Sequence, residues 1–488
     1  MYVVAMFFLL MCSILWIRRP KRPALFPPGP PTFLIFGNLW TIIEAIKGNF
    51  PSVVKASRQK FGDIFAFVHP TGDKEVHLCN FDDIKEVCKR QEFAGRPQSF
   101  PLLVRSYQQK LGLFFSEGPS WREHRRFALQ HLRDLGLGKT SMESIILEEF
   151  EQLANEMAGK SGSPMEVVGH FNLTVLNIIW RLVAGTRLDR SDEKAQRHAA
   201  TVREFFETIG PTNPLNFAPW LRHLLPEWSS YASLIRHRDT TTDMLAELIR
   251  EHKRTLNRSS PRDFIDLFLL EMESPDAEAR QFTEQNLTII SMDFLIAGMD
   301  TTANWLSWAL LLLVRNPQVQ ERVQREIDTV LGRAAPTSAD RARLPFTEAT
   351  MMEVSRRAPV APLAAPHSAL SDATFHGYTI PKNTTLVLHL HCVFMDPDYW
   401  GDPLAFRPER FLQPDGSVRR DERLIPFGIG KRLCLGETLA RTETFMLLTC
   451  LLQRFRFSAA PDQRLSLESS LLFVQPPRQF SVTYELRD

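Results

Sequence analysis

The chain is predicted to be mainly α with a minor β region, folded as one large domain. Three observations predict this. Helical period runs through most of the 488 residues, for instance 141–159, 172–185, 240–256 and 316–331. Alternating, strand-like segments are confined to two short regions. No linker, repeat or low-complexity tract interrupts residues 37–488, so the three domains that about 150 residues per domain would give are set aside. Hydrophobic residues are 44% and charged residues 23% of the chain, which excludes a disordered chain. Many long apolar runs are lacking, which excludes a polytopic membrane protein. Lys and Arg total 58 against 56 Asp and Glu, and that balance gives no reason to expect nucleic acid.

Residues 1–17 carry no charge and are mostly Val, Phe, Leu, Met and Ile. As a helix they would span about 25 Å, the short end of a membrane crossing. Arg18, Arg19, Lys21 and Arg22 follow, and no small-residue cleavage site does. A retained single-pass anchor is expected, with the basic cluster and everything after it in the cytosol. Residues 18–36 read as a basic, Pro-rich hinge. Its core, Phe26-Pro-Pro-Gly29-Pro-Pro31, is neither helix nor central strand and is expected to be a stiff spacer.

Within 37–488, segments 63–68 and 75–79 read as strands around His69-Pro-Thr-Gly72, and 375–391 as a second β region punctuated by Gly377 and Pro381. The longest apolar stretch, 289–314, carries Asp293, Asp300 and Asn304. Two acids at mid-span are costly in lipid. A buried central helix is expected, and buried acids need partners or a task.

Six cysteines, at 12, 79, 88, 392, 434 and 450, are too sparse for a disulfide framework and suit a reducing compartment. One stands in an unusual setting, Phe427-Gly-Ile-Gly430-Lys-Arg432-Leu-Cys434-Leu-Gly436. The glycines let backbone wrap a sulfur, Arg432 places positive charge beside it, and a helix over 435–452 would aim amides at it. All three favour a thiolate. Glu353-Val-Ser-Arg356 puts an acid and a base on one helix face. Ala297-Gly298-Met-Asp300-Thr301-Thr302 places a helix-disfavouring glycine before an acid–alcohol pair.

These motifs, in this order, resemble the cytochrome P-450 superfamily. The cysteine loop matches its haem signature, Phe-x-x-Gly-x-Arg-x-Cys-x-Gly, at every fixed position. Glu353, Arg356 and the Arg410 of Pro408-Glu-Arg-Phe411 match its structural triad, and residues 297–302 match its oxygen-activation motif. The resemblance covers nearly the whole chain. It is similar above all to the microsomal family-two clan, and residues 121–141 are similar to arthropod members. Pro359 departs from the usual pattern and puts the local substrate-side geometry in question.

The resemblance implies the cytochrome P-450 fold and a haem b whose iron takes Cys434 as axial thiolate. It implies dioxygen binding beside Gly298 and proton delivery by Asp300 and Thr301. Haem contacts are expected from Arg96, Trp121, Arg125, His367, Arg432 and Phe427. The implied activity is an NADPH-dependent monooxygenation at the endoplasmic reticulum membrane, inserting one atom of dioxygen into a hydrophobic substrate by hydroxylation or epoxidation. Electrons are expected from an NADPH-dependent flavoprotein reductase, with a cytochrome b-type donor as a further partner. Arg122, Arg125, Arg126, Arg419, Arg420, Arg423 and Lys431 are candidates to steer such an acidic partner.

Substrate is expected to meet 99–115, 205–228, 292–301, 360–365 and 471–474, with Phe114, Asp293, Phe294, Ala297, Leu363 and Phe473 as pocket residues. For Asp293, pairing with a nearby donor is favoured over orienting substrate. Substrate classes left open are a sesquiterpenoid such as a juvenile-hormone precursor, a steroid, or a foreign compound. The rival functions are a haem-thiolate isomerase or dehydratase acting on lipid peroxides, and a non-catalytic haem or lipid-binding protein. Two motifs are set aside. Gly136-Leu-Gly138-Lys139-Thr140 lacks the first glycine of a phosphate loop. His389-Leu-His391-Cys392 is metal-like, but alternate residues on one strand are not expected to close a site.

Overall fold

The computed structural model describes residues 22–32, 37–47, 50–136, 140–189 and 213–461, with shorter pieces of 200–209 and 463–487. The anchor predicted at 1–17 lies outside the described residues. Among the described residues no helix is long and apolar enough to cross a membrane.

The helices that frame the site are α1 (Phe50–Phe61), α2 (Phe81–Lys89), α3 (Phe100–Arg105), α4 (Gly118–Asp134), α5 (Thr140–Ala158), α6 (Asn172–Ala184), α7 (Tyr231–Thr255), α8 (Glu284–Arg315), α9 (Pro317–Val330), α10 (Pro345–Arg357), α11 (Leu390–Phe394) and α12 (Glu437–Arg454). Strands are β1 (Ile64–Val68), β2 (Lys74–Leu78), β3 (Met165–Glu166), β4 (His367–Ser368), β5 (Ala373–Phe375), β6 (Tyr378–Ile380), β7 (Thr385–Leu388), β8 (Phe455–Ala459) and β9 (Ser481–Leu486). They form three small sheets, ordered β1–β2–β7–β4, β3–β9–β8 and β5–β6. The mainly helical, minor-sheet prediction holds. The predicted β region 375–391 is strand only in part, because its last residues turn into α11.

Helix α8 is the axis of the molecule. Thr283 caps it by accepting the Asn286 N–H at 3.2 Å, and Pro317 follows its end at Arg315. It is buried on nearly every face, from Leu287 to Leu313, as a helix apolar all round must be. The predicted Pro-rich spacer, in contrast, is fastened to the body. Ala66 of β1 donates its N–H to Pro28 O at 2.8 Å, and Arg22 donates to Gly29 O and Ala66 O at 3.1 and 3.0 Å. A Cβ on Gly29 would stand 2.0 Å from Ala66 O. The prolines leave their carbonyls free, and β1 uses one of them.

Beneath α8, Glu353 and Arg356 of α10 are fully buried. Arg356 Nε and Nη2 donate to the Glu353 carboxylate at 2.7 and 2.8 Å. Its remaining N–H groups go to the carbonyls of Phe394, Pro403 and Ala405 at 2.8, 2.9 and 3.2 Å. Arg410 Nε and the Arg407 N–H complete the shell of Glu353 at 3.1 and 2.9 Å. Every donor of the Arg356 fork is satisfied, so the pair fixes the loop 394–410 against α10. Removing one partner from a buried pair strands the other. Glu353→Gln is therefore expected to cost about 3–5 kcal/mol, and Glu284→Gln, in the exposed pair with Lys253, under about 1 kcal/mol. Denaturant unfolding of the two variants checks this. A Glu353→Gln loss no larger than that of Glu284→Gln would contradict it.

Candidate active site

A cavity of about 350 Å³ lies between α8 and the 427–436 loop. The loop folds as it does because Gly428 and Gly430 take left-handed φ angles of +71° and +74°. At Gly430 a Cβ would also stand 2.2 Å from the Cys88 carbonyl of α2. Cys434 N–H closes the loop on Phe427 O at 3.0 Å, and α12 starts at Glu437 with Gly436 as its cap. Phe427, Cys434, Leu435 and Gly436 all line the cavity.

The Cys434 sulfur is open to the cavity, while the protein around it is dense. Burial raises its thiol pKa, against the pull of a Gly436 amide hydrogen bond and of Arg125. This corrects the prediction from sequence. The cation acting on the sulfur is Arg125 rather than Arg432. Ionisation must come from what binds the sulfur.

Arg96, Arg125, Arg432, Trp121 and His367 converge on one rim of the cavity. Arg96 donates to the carbonyls of Phe114, Ala365 and Pro366 at 3.0, 2.9 and 2.8 Å. Arg125 donates to Leu433 O. Arg432 donates to Ala94 O and Ser116 O at 3.0 and 2.8 Å, and its guanidinium lies 3.6 Å from the Trp121 ring. Arg432 Nη1 is buried with no partner. Burial, then repulsion from Arg96 and Arg125, lowers the Arg432 pKa to about 8. Burial likewise brings Arg96 down to about 10. Burial and the charge of Arg96 take His367 to about 3, so it is neutral and rests on Phe93 O at 2.9 Å. Such a rim holds more positive charge than its neighbours offset.

On the opposite wall, Ala297, Gly298 and Thr301 of α8 face the cavity. Thr301 Oγ1 donates to Ala297 O at 2.7 Å. A Cβ on Gly298 would come within 3.3 Å of Ile179, so close packing on α6 explains that glycine. Asp300 does not line the cavity. Its oxygens accept from Asn172 Nδ2 of α6 at 3.5 Å and from Asn304 Nδ2, one turn along α8, at 3.1 Å. The acid and the alcohol thus sit on different sides of α8.

Of the predicted pocket residues, Phe114, Asp293, Phe294 and Ala297 line the cavity. Leu363 does not. It bridges to His389, and the wall there is Val360, Ala361, Ala364 and Ala365. Phe473 lies outside the described residues, and no described residue of 205–228 reaches the cavity. Pro359 follows the end of α10 and lines the wall. Asp293 is bound to Arg105 Nη1 of α3 and accepts the N–H groups of Leu113 and Phe114 at 2.6 and 3.1 Å.

Residues 27–484 match the cytochrome P450 family. The chain belongs to that family. Farnesoate epoxidase of Bombyx mori is 38% identical to it over 98% of both chains. Cytochrome P450 2B2 of Rattus norvegicus is 34% identical over 94% of both. Cytochrome P450 2L1 of Panulirus argus is 34% identical over 93% of this chain and 94% of its own. A P450 is a monooxygenase carrying haem on a cysteine thiolate, with NADPH electrons supplied through a reductase in relatives of this kind. The residues here fit that group. An open sulfur faces the cavity, and the rim of buried arginines, with an orphaned Arg432 N–H, suits the carboxylates of a haem.

Sequence reasoning missed two groups of this P450 site. Arg105 gave no signal, since its partner lies 188 positions away. Glu443 gave one, being an acid within the apolar run of α12. It lines the cavity, accepts from Thr302 Oγ1 at 3.3 Å, and burial pushes its pKa up to about 8. Its folded-state pKa lies above the unfolded value, so its stabilising contribution is full below about pH 4.5 and is lost as pH rises toward 8. Relative to Glu443→Gln, the wild-type unfolding free energy should fall by up to about 1.4 kcal/mol per pH unit between about pH 5 and pH 8. Parallel pH–stability curves for the two proteins would contradict the assignment.

Proposed function

We propose that this P450 epoxidises or hydroxylates an isoprenoid acid or ester of the farnesoate type. The observation that carries the reading is the placement of Cys434 opposite an apolar wall of Phe114, Phe294, Ala297, Val360, Ala361 and Val474. Such a wall takes a long hydrocarbon chain, and few polar groups compete for water beside it. The match to a farnesoate epoxidase over nearly the full chain supports the substrate class.

Haem, when bound, supplies reductive activation of dioxygen and transfer of one oxygen atom to carbon. In this reading Cys434 would hold the haem iron through its thiolate. Arg96, Arg125 and Arg432 would hold the propionates, with Trp121 stacked under Arg432 and Phe427 packed on the loop; His367, whose Nδ1–H goes to Phe93 O, would join them once a neighbouring carboxylate draws a proton onto its Nε2. Thr301, on the cavity wall, would hold a proton at its Oγ1 for the oxygen chemistry that the haem supplies. Asp300 refills that hydroxyl by leaving Asn172 and Asn304 or through water along α8. Residues 1–17 anchor the chain in the endoplasmic reticulum membrane with the haem domain in the cytosol. An acidic flavoprotein reductase docks on the exposed Arg122, Arg126, Arg419, Arg420 and Lys431. Arg125 is withdrawn from that set because it lines the cavity, and Arg423 because it stacks on Tyr399 at 4.0 Å.

Purified enzyme with reductase, NADPH and farnesoic acid or its methyl ester should yield product carrying one atom from labelled dioxygen. Thr301→Ala should lower product formed per NADPH consumed by at least about tenfold, with substrate affinity retained. Turnover of a lipid peroxide without NADPH, unaffected by Thr301→Ala, would instead establish the isomerase reading.

A further inference from the structure

The segment 389–392, set aside on sequence, is closed into a cluster by the fold. Strands β2 and β7 run parallel with Leu78 opposite Leu388, so Cys79 and His389 leave the sheet side by side. The His389 N–H is fastened to Leu78 O at 2.9 Å. The chain then turns into α11, with Cys392 N–H on His389 O at 3.1 Å. That turn brings Cys392 back to the same side, which alternation along a strand would not do. The two sulfurs and a ring nitrogen of His389 lie within 4.8 Å of one another. Tetrahedral zinc with bonds of about 2.0–2.3 Å spaces its ligand atoms by roughly 3.5–3.8 Å, within that limit.

A second observation distinguishes this cluster from two cysteines that happen to be neighbours. His389 Nε2 is hydrogen-bonded to His77 Nδ1 at 2.9 Å. His77 Nε2 in turn faces Glu75 Oε2 at 3.6 Å, and His69 Nε2 holds the same oxygen at 3.0 Å. The negative charge of Glu75 facing His77 Nε2 favours the tautomer protonated there, which leaves His77 Nδ1 as the acceptor and places the His389 proton on Nε2. The lone pair of His389 is then on Nδ1. A carboxylate-backed relay that fixes the tautomer of an imidazole is the usual support behind a metal-bound histidine. The His77 ring is itself stacked on Phe65 at 4.9 Å. Cys79 and His389 are 1% and 3% exposed, while Cys392 is partly exposed, so the open side, where water would complete a tetrahedron, lies toward Cys392.

We propose that Cys79, Cys392 and His389 Nδ1 form a zinc site outside the haem cavity, oriented by His77 and Glu75. Both thiols lose their protons on binding, so the two thiolates balance the charge of one Zn²⁺. The test uses the full-length holoenzyme, in which iron content reports haem. It is equilibrated with Zn²⁺ and then desalted, and zinc per iron is counted by mass spectrometry. The expected result is one zinc per iron, at least tenfold weaker binding against a chelator in Cys79→Ser and Cys392→Ser, and unchanged iron content. To separate lost ligation from lost folding in those variants, Co²⁺ is also added to the unmodified holoenzyme, where thiolate-to-cobalt absorption is expected. No retained zinc and no such absorption would overturn the proposal. So would a Cys79–Cys392 disulfide in protein kept under reducing conditions, or zinc binding unchanged in both variants.

Discussion

Positive charge buried around one cavity is the constraint on which this structure depends. Three guanidiniums and an imidazole crowd one rim of the cavity between α8 and the cysteine loop, and burial holds Arg432 and Arg96 below the ordinary arginine range. Buried cations are tolerated only with anionic or carbonyl partners. Backbone carbonyls of Ala94, Ser116, Phe114, Leu433, Ala365 and Pro366 supply part of that need, and the unpartnered Arg432 Nη1 shows what is left over. A guest bearing two carboxylates, seated on a sulfur, meets both demands at once.

The surrounding fold holds those groups where hydration would otherwise draw them out. The left-handed glycines of the 427–436 loop let the chain pass beside Cys88. The saturated Glu353–Arg356–Arg410 network ties the loop 394–410 to α10. Helix α8, apolar on nearly all faces, forms the far wall and carries Thr301 to it. The same helix turns Asp300 toward α6, so that acid and the Thr301 hydroxyl are separated. Asn172 and Asn304 hold the Asp300 carboxylate in that position.

Much of this was legible in the sequence, and the divisions are physical. Glycine spacing around Cys434, the acids within an apolar helix and the i to i+3 pair Glu353–Arg356 are local patterns, and local patterns survive in one dimension. The contacts of the rim are between 18 and 338 positions apart in the chain, and only resemblance grouped Arg96, Arg125, His367 and Arg432. The pairing of Arg105 with Asp293 had no such guide. Two errors came from treating segments alone. The Pro-rich stretch looks like a spacer until β1 uses its free carbonyls. His389 and Cys392 look like strand neighbours until α11 turns the chain and β2 brings in Cys79. The cation expected beside Cys434 was Arg432, but its guanidinium is engaged by Trp121 and two carbonyls, and Arg125 is the one that acts on the sulfur.

The most direct measurement is the difference spectrum of the reduced protein with carbon monoxide, taken on wild type and on Cys434→His. Ligation through the Cys434 thiolate predicts the strongly red-shifted Soret band of a thiolate-bound haem in wild type. In the variant that band should be replaced by one typical of imidazole ligation, with haem still retained by the arginine rim. A wild-type spectrum without the thiolate band, or one unchanged in Cys434→His, would contradict the account.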